Sequence, residues 1–331
     1  MRTDQLLCLL AVTASPVALT ATDEAASVGV DILGTHYSAR LKALQDRVVA
    51  AQGKPIRFEA TTGHVDNTIQ VNATEIVVRL RPASSEDNVA HELLHAVLQS
   101  EHYPQMFAVT MLPQSPPLRA LLSGDLDHLI INKRLLAMGY DPHRGFLSQA
   151  DSYAGVLALE SPSDPSQRTV FEIGMVHELI KFHYYIRDPT AEPAILRKYP
   201  SVAGLWREVK RAVDGLPRDP RPRDLWRVAA TMTAAFDRRC IANKAGFRFS
   251  DLIGFQPVPL TATDLRAPAS EVFEETGQAM TEGRVLVRTF LRRDRMLVDV
   301  NLLAGDPRAH ASGLDVPTAE FLTKRQIEVM Q

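Results

Sequence analysis

The sequence predicts an α+β fold: a small antiparallel sheet packed on a helix carrying His91-Glu92-Leu93-Leu94-His95, then a mainly helical region with a late β-hairpin. Three observations predict it. Short runs rich in β-branched residues cluster between residues 56 and 80, bounded by turn residues as strands are. Apolar residues at helical spacing dominate the stretch from 85 to 240, the period expected of helices that bury one face. Residues 284 to 301 (RVLVRTFLRRDRMLVDVN) alternate, which is the period of a strand.

Bulk properties exclude several classes. The chain has 331 residues, 45% hydrophobic and 23% charged, the composition of a globular protein with a sizeable core. A net charge of −2 leaves no basic footprint for nucleic acid. No run of apolar residues reaches the length of a membrane span. Only Cys8 and Cys240 occur, so disulfides do not organise the fold. Residues 1 to 30 form a tail or signal-like segment. Its stretch LLCLLAVTASPVALTA behind Arg2 resembles the apolar core of an export signal, whereas Asp4 and Pro16 interrupt that pattern. A cytoplasmic tail is the favoured reading, and export the alternative.

The elements follow in order. Residues 31 to 140 form the core that bears the site, and 141 to 331 the helical region with its hairpin, packed with the core as one unit. HYSARLKALQDRVVAAQ, 36 to 52, is an amphipathic helix closed by Gly53 and Pro55. Strands are expected at IRFEA (56), TIQVN (68) and EIVVRL (75). Ser84 or Ser85 then caps a helix with acids in its first turn. After a Pro-rich loop at 113 to 117, a second helix covers 118 to 138 and ends at Gly139 before Pro142. Further helices are expected near 169 to 187, 193 to 214 and 223 to 240. The Pro-rich 216 to 224 is a surface loop rather than a domain boundary. The hairpin turns near Arg293-Asp294, and a short helix at 317 to 329 ends the chain.

The chemistry lies in the helix after Ser85. By chance, H-E-x-x-H arises in about one or two chains in a hundred of this size, so its surroundings carry the weight. At about 100° per residue, Asn88, His91, Glu92, His95, Gln99 and His102 share one stripe, while the remaining faces are Val, Ala and Leu. Polar groups on a helix buried over most of its circumference need partners. Spacing i, i+4 brings both imidazoles within reach of one ion, and zinc takes imidazole nitrogen at about 2.0–2.1 Å. Glu92 would stand beside the water activated there, as a proton acceptor. The bland alternative is a solvated stripe on an amphipathic helix.

The strand EIVVRL leading into NVAHELLHAVLQ resembles the active-site entry of the zincin metallopeptidases, over residues 55 to 140. That resemblance implies that His91 and His95 are zinc ligands and Glu92 the general base. No Gly and third His follow closely, unlike metzincins, and no Asn-Glu-x-x-x-Asp follows, unlike thermolysin-like enzymes. The subfamily is therefore open.

A catalytic zinc needs a third protein ligand. In LRALLSGDLDHLIINKRLLAMG, helical phase puts His128 among Leu121, Ile131 and Leu135, with Asp125 on its flank and Asp127 on the solvent side. His128 is the preferred ligand. Asp125, one turn earlier, can orient its second nitrogen or replace it. A satisfied core histidine is the alternative. The helix TVFEIGMVHELIKFHYYI competes, since Glu172 or Glu178 could complete the shell and His177 or Tyr184 could donate to a developing oxyanion. Equally, it could be a core helix whose polar groups pair internally, Glu172 with His183 for example.

The reading is a zinc-dependent hydrolase, a metallopeptidase taking a peptide or protein substrate. A catalytically silent zincin-like binding module, or a protease dedicated to one target, are the alternatives. Arg284, Arg288, Arg292, Arg293 and Arg295 on the hairpin are expected to be a solvated edge rather than a binding surface, Cys240 a structural thiol, and Trp206 and Trp226 packing residues.

Overall fold

The computed structural model of the chain describes residues 29–61, 67–109, 118, 125–142, 152–280, 284–304 and 314–330. Residues 1–28 of the signal-like segment, the Pro-rich loop at 113 to 117 and the side chain of Asp125 lie outside the described residues. The described part is α+β, with three small sheets. The chain divides into two compact units, Met1–Glu101 with Ile131–Gly145, and His102–Ile130 with Phe146–Gln331. The division falls within the helix Asp125–Ala137.

In the first unit, β1 (Val30–Ile32) and β2 (Thr35–Tyr37) form a hairpin that sequence reasoning missed. Leu33 and Gly34 both take positive φ, 51° and 79°, as a two-residue loop with strand-matching twist requires. The first helix therefore starts later than expected. It is α1, Ala39–Gln52, capped by the Ser38 side chain and closed by Gly53 at φ 63°. Leu41, Leu44 and Val48 form its buried stripe.

The three anticipated strands are present as β3 (Ile56–Ala60), β4 (Thr68–Val71) and β5 (Ile76–Leu80). The sheet is mixed rather than antiparallel: β5 is central, antiparallel to β4 and parallel to β3. The chain returns to β4 on the far side of β5, which periodicity alone cannot reveal. Ile76, Val77, Val78 and Leu80 are all buried, as a central strand covered on both faces demands.

Helix α2, Glu86–Ser100, packs against β4, β5 and α1. Ser85 is its N-cap, accepting from the Asn88 N–H. The two acids of its first turn do more than oppose the helix dipole. Glu86 accepts from the Ser38 N–H at 3.0 Å and the Tyr140 hydroxyl at 2.9 Å. Asp87 accepts from the Asp141 N–H at 2.7 Å. These bonds tie the start of α2 to the start of α1 and to the segment after α3 (Asp125–Ala137). At its other end Glu101 accepts from Arg47 at 2.8 Å and from Arg134 of α3 at 2.6 Å. Ser85→Ala removes one capping acceptor and should cost about 1 kcal/mol, read as a lower midpoint in urea without a change of slope.

The second unit holds α4 (Ser152–Ala158), α5 (Pro165–Ile180) with a π-helical continuation Lys181–Ile186, α6 (Ala191–Lys198), α7 (Ala203–Asp214) and α8 (Pro222–Ala242). The helix expected over 193 to 214 is thus two, with a 3-10 turn at Pro200–Val202 between them. Tyr199 leaves helical geometry (φ −120°, ψ 68°), as the residue before a proline tends to.

This unit is less purely helical than its periodicity suggests. The hairpin β9 (Arg284–Leu291) and β10 (Met296–Ala304) turns as expected, but belongs to a five-stranded sheet, ordered β6 (Gln105–Ala108), β7 (Ile253–Gln256), β10, β9 and β8 (Phe273–Ala279). Gly254 pairs with Phe107 on one side and Leu297 on the other. A Cβ built there would lie 2.3 Å from the Phe107 ring and 2.6 Å from the Leu297 carbonyl oxygen. The closing helix α9 is Thr318–Arg325.

Four of the hairpin arginines, Arg288, Arg292, Arg293 and Arg295, have partners within the protein. Arg295 pairs with Glu274 at 2.8 Å and Asp251 at 3.3 Å, and Arg292 caps the carbonyls of Ser270 and Phe273. Trp206 and Trp226 are buried, each indole N–H donating to a carboxylate, Glu192 and Asp294. Cys240 is buried, and burial pushes its thiol up to about 12.

Candidate metal centre

The site is built on α2 and the first turn of α3. Helix α2 is apolar on most faces because Val89, Ala90, Leu93, Leu94, Ala96, Val97 and Leu98 are all buried. That burial fixes the rotation of the helix about its axis, and so the direction of the stripe bearing His91 and His95. Their rings stand 5.1 Å apart, edge to face at 71°. His128 lies in a continuous helix whose later turns carry buried Ile131 and Leu135 and the Arg134–Glu101 tie to the end of α2.

One metal-capable donor atom each from His91, His95 and His128 lies within 4.8 Å of the others. All three side chains are half-buried. Among the described residues this is the one group of His, Cys, Asp or Glu that could hold a metal ion. Four-coordinate ligands at about 2.0–2.1 Å stand about 3.4 Å apart, a distance small ring rotations can close.

The surroundings favour an uncharged imidazole at His91. Burial first, and the neighbouring His95 second, push the His91 imidazole down to about 3. Its ring keeps some accessible surface while protein surrounds it on most sides, and the displaced hydration accounts for the shift. At neutral pH His91 is uncharged, the state in which imidazole offers a lone pair to a metal. Glu92, 8% exposed, is the next residue along the same helix, about 60° around the axis from His95.

The other sequence-derived candidates are dispersed. Asp127 is half-buried and His177 also, and neither belongs to the histidine group. Glu178 pairs with Lys181 at 2.5 Å. The Tyr184 hydroxyl donates to Asp214 of α7 at 2.7 Å. The suggested pair of Glu172 and His183 is corrected. Glu172 takes Arg239, and His183 takes Glu192 at 2.8 Å. Eleven positions along a helix are about three turns, too far for one contact.

Sequence reasoning missed Tyr185. It is buried and meets His128 edge to face, ring centroids 5.7 Å apart at 87°.

Compared with protein-family models, curated proteins and solved structures, the chain matches none. No helix among the described residues is long and apolar enough to cross a membrane.

Proposed function

We propose that the protein is a zinc-dependent hydrolase, a metallopeptidase acting on a peptide or protein. The observation that carries this is the convergence of three imidazoles on one point, with a buried glutamate next in sequence to the first of them. The donor set fits zinc: three imidazole nitrogens would hold the ion and would leave a fourth position for water, as in hydrolytic rather than structural sites. Bound there, zinc supplies a Lewis acid that makes water acidic and stabilises charge on the carbonyl oxygen.

The chain's own residues do the rest. His91, His95 and His128 would hold the ion. Glu92 accepts a proton as the water oxygen bonds to the carbonyl carbon, then delivers that proton to the amine nitrogen as the C–N bond breaks.

Metal analysis tests the reading. The purified protein should hold about one zinc per chain, and His128→Ala should not retain it through gel filtration, with hydrolysis lost alongside. Stoichiometric zinc in His128→Ala and His91→Ala alike would overturn the site.

A further inference from the structure

We propose that the π-helical turn Lys181–Ile186 positions the third imidazole of the centre, by holding the Tyr185 ring against His128. The inference rests on the metal reading above and adds a residue that neither the motif nor its spacing implies.

A π turn bonds i to i+5 and spends an extra residue relative to an α turn. Across Lys181–Ile186 the accumulated lag is about one residue step, so Tyr185 reaches the angular position that Tyr184 would hold on an uninterrupted α-helix. Such turns have poorer hydrogen-bond geometry and tend to survive where they serve a site.

This one is held in place. His183 Nδ1 lies 2.8 Å from Glu192, and the Tyr184 hydroxyl donates to Asp214 at 2.7 Å. Glu192 in turn accepts from Trp206 Nε1 at 2.9 Å. Phe182 is buried, and Arg187 closes the turn at φ 59° with its N–H on the Phe182 carbonyl. With two consecutive side chains fixed by α6 and α7, the next one, Tyr185, has little freedom.

Later turns anchor the helix of His128 through the buried Ile131 and Leu135, and the Tyr185 ring meets its imidazole directly. An edge-to-face ring at 87° restricts both of its torsions. Tyr185 is therefore a positioning residue, acting through His128.

The test titrates Co2+ and Zn2+ into metal-free wild type, Tyr185→Phe and Tyr185→Leu, reading affinity and the visible absorption of the cobalt form. Tyr185→Phe should keep both. Tyr185→Leu should weaken zinc roughly tenfold or more and alter the cobalt bands, while the melting point of the metal-free form reports any general loss of packing. Should Tyr185→Leu fail to fold, Tyr185→Met fills the volume without a ring and carries the same expectation. Wild-type affinity and spectrum in the folded ring-less variant would overturn the positioning role alone. Cobalt binding by wild type that His91→Ala leaves untouched would overturn the metal centre, and this role with it.

Discussion

Glu92→Gln should keep zinc at the wild-type level and lower peptide hydrolysis by about a hundredfold to ten-thousandfold, the range general bases contribute. Glutamine matches glutamate in shape, so the packing around this buried side chain is retained while the proton acceptor is lost. The measurement pairs zinc content with turnover on a broad peptide library. Full activity in the zinc-loaded variant would remove Glu92 from the chemistry. A wild type that holds zinc and cleaves nothing in the library would leave either a dedicated target or a silent binding module.

The largest effect on stability is expected in the helices that carry the π turn. Glu172 is buried to 1% exposure, yet Arg239 Nε and Nη2 each donate to it at 2.6 Å, and Asn243 adds a bond at 2.6 Å. Burial alone would push its carboxyl up. The hydrogen bonds from Arg239 and Asn243 outweigh that and hold it below the usual glutamate value. Arg239→Ala strands a charge in the interior and should cost about 3 kcal/mol, the low end for a buried pair because Arg239 keeps some exposure. The sign in pH follows. A carboxyl whose folded pKa is depressed contributes stability that is present above its unfolded pKa, about 4.3, and is lost as pH falls through the folded value. The gap between wild type and Arg239→Ala, measured by urea unfolding, should be full at neutral pH and narrow below about pH 4. A gap that is flat down to acid would mean that the cost is lost packing rather than charge.

How much was legible in the sequence follows from the range of the signals. Local chemistry was: a cap at Ser84 or Ser85, which is Ser85, a stop at Gly53, and the nearness of His128 to His91 and His95 all correspond to what the structure shows. Long-range partners were not. The parallel pairing of β3 with β5 and the placing of the hairpin inside a five-stranded sheet depend on segments far apart in the chain. Tyr185 was missed for a different reason. Assuming a constant 3.6 residues per turn points to Tyr184, and one widened turn is enough to exchange the two. The run Lys181–Ile186 holds no Pro or Gly to announce the change.

Gly254 ties two strands in a way that reaches into the protein's history. The Phe107 ring occupies the space where any other residue at 254 would put its first carbon. Glycine is held there from two sides, because a smaller residue at 107 would still leave the Leu297 carbonyl oxygen in the way. Among descendants of this chain position 254 should stay glycine whatever stands at 107.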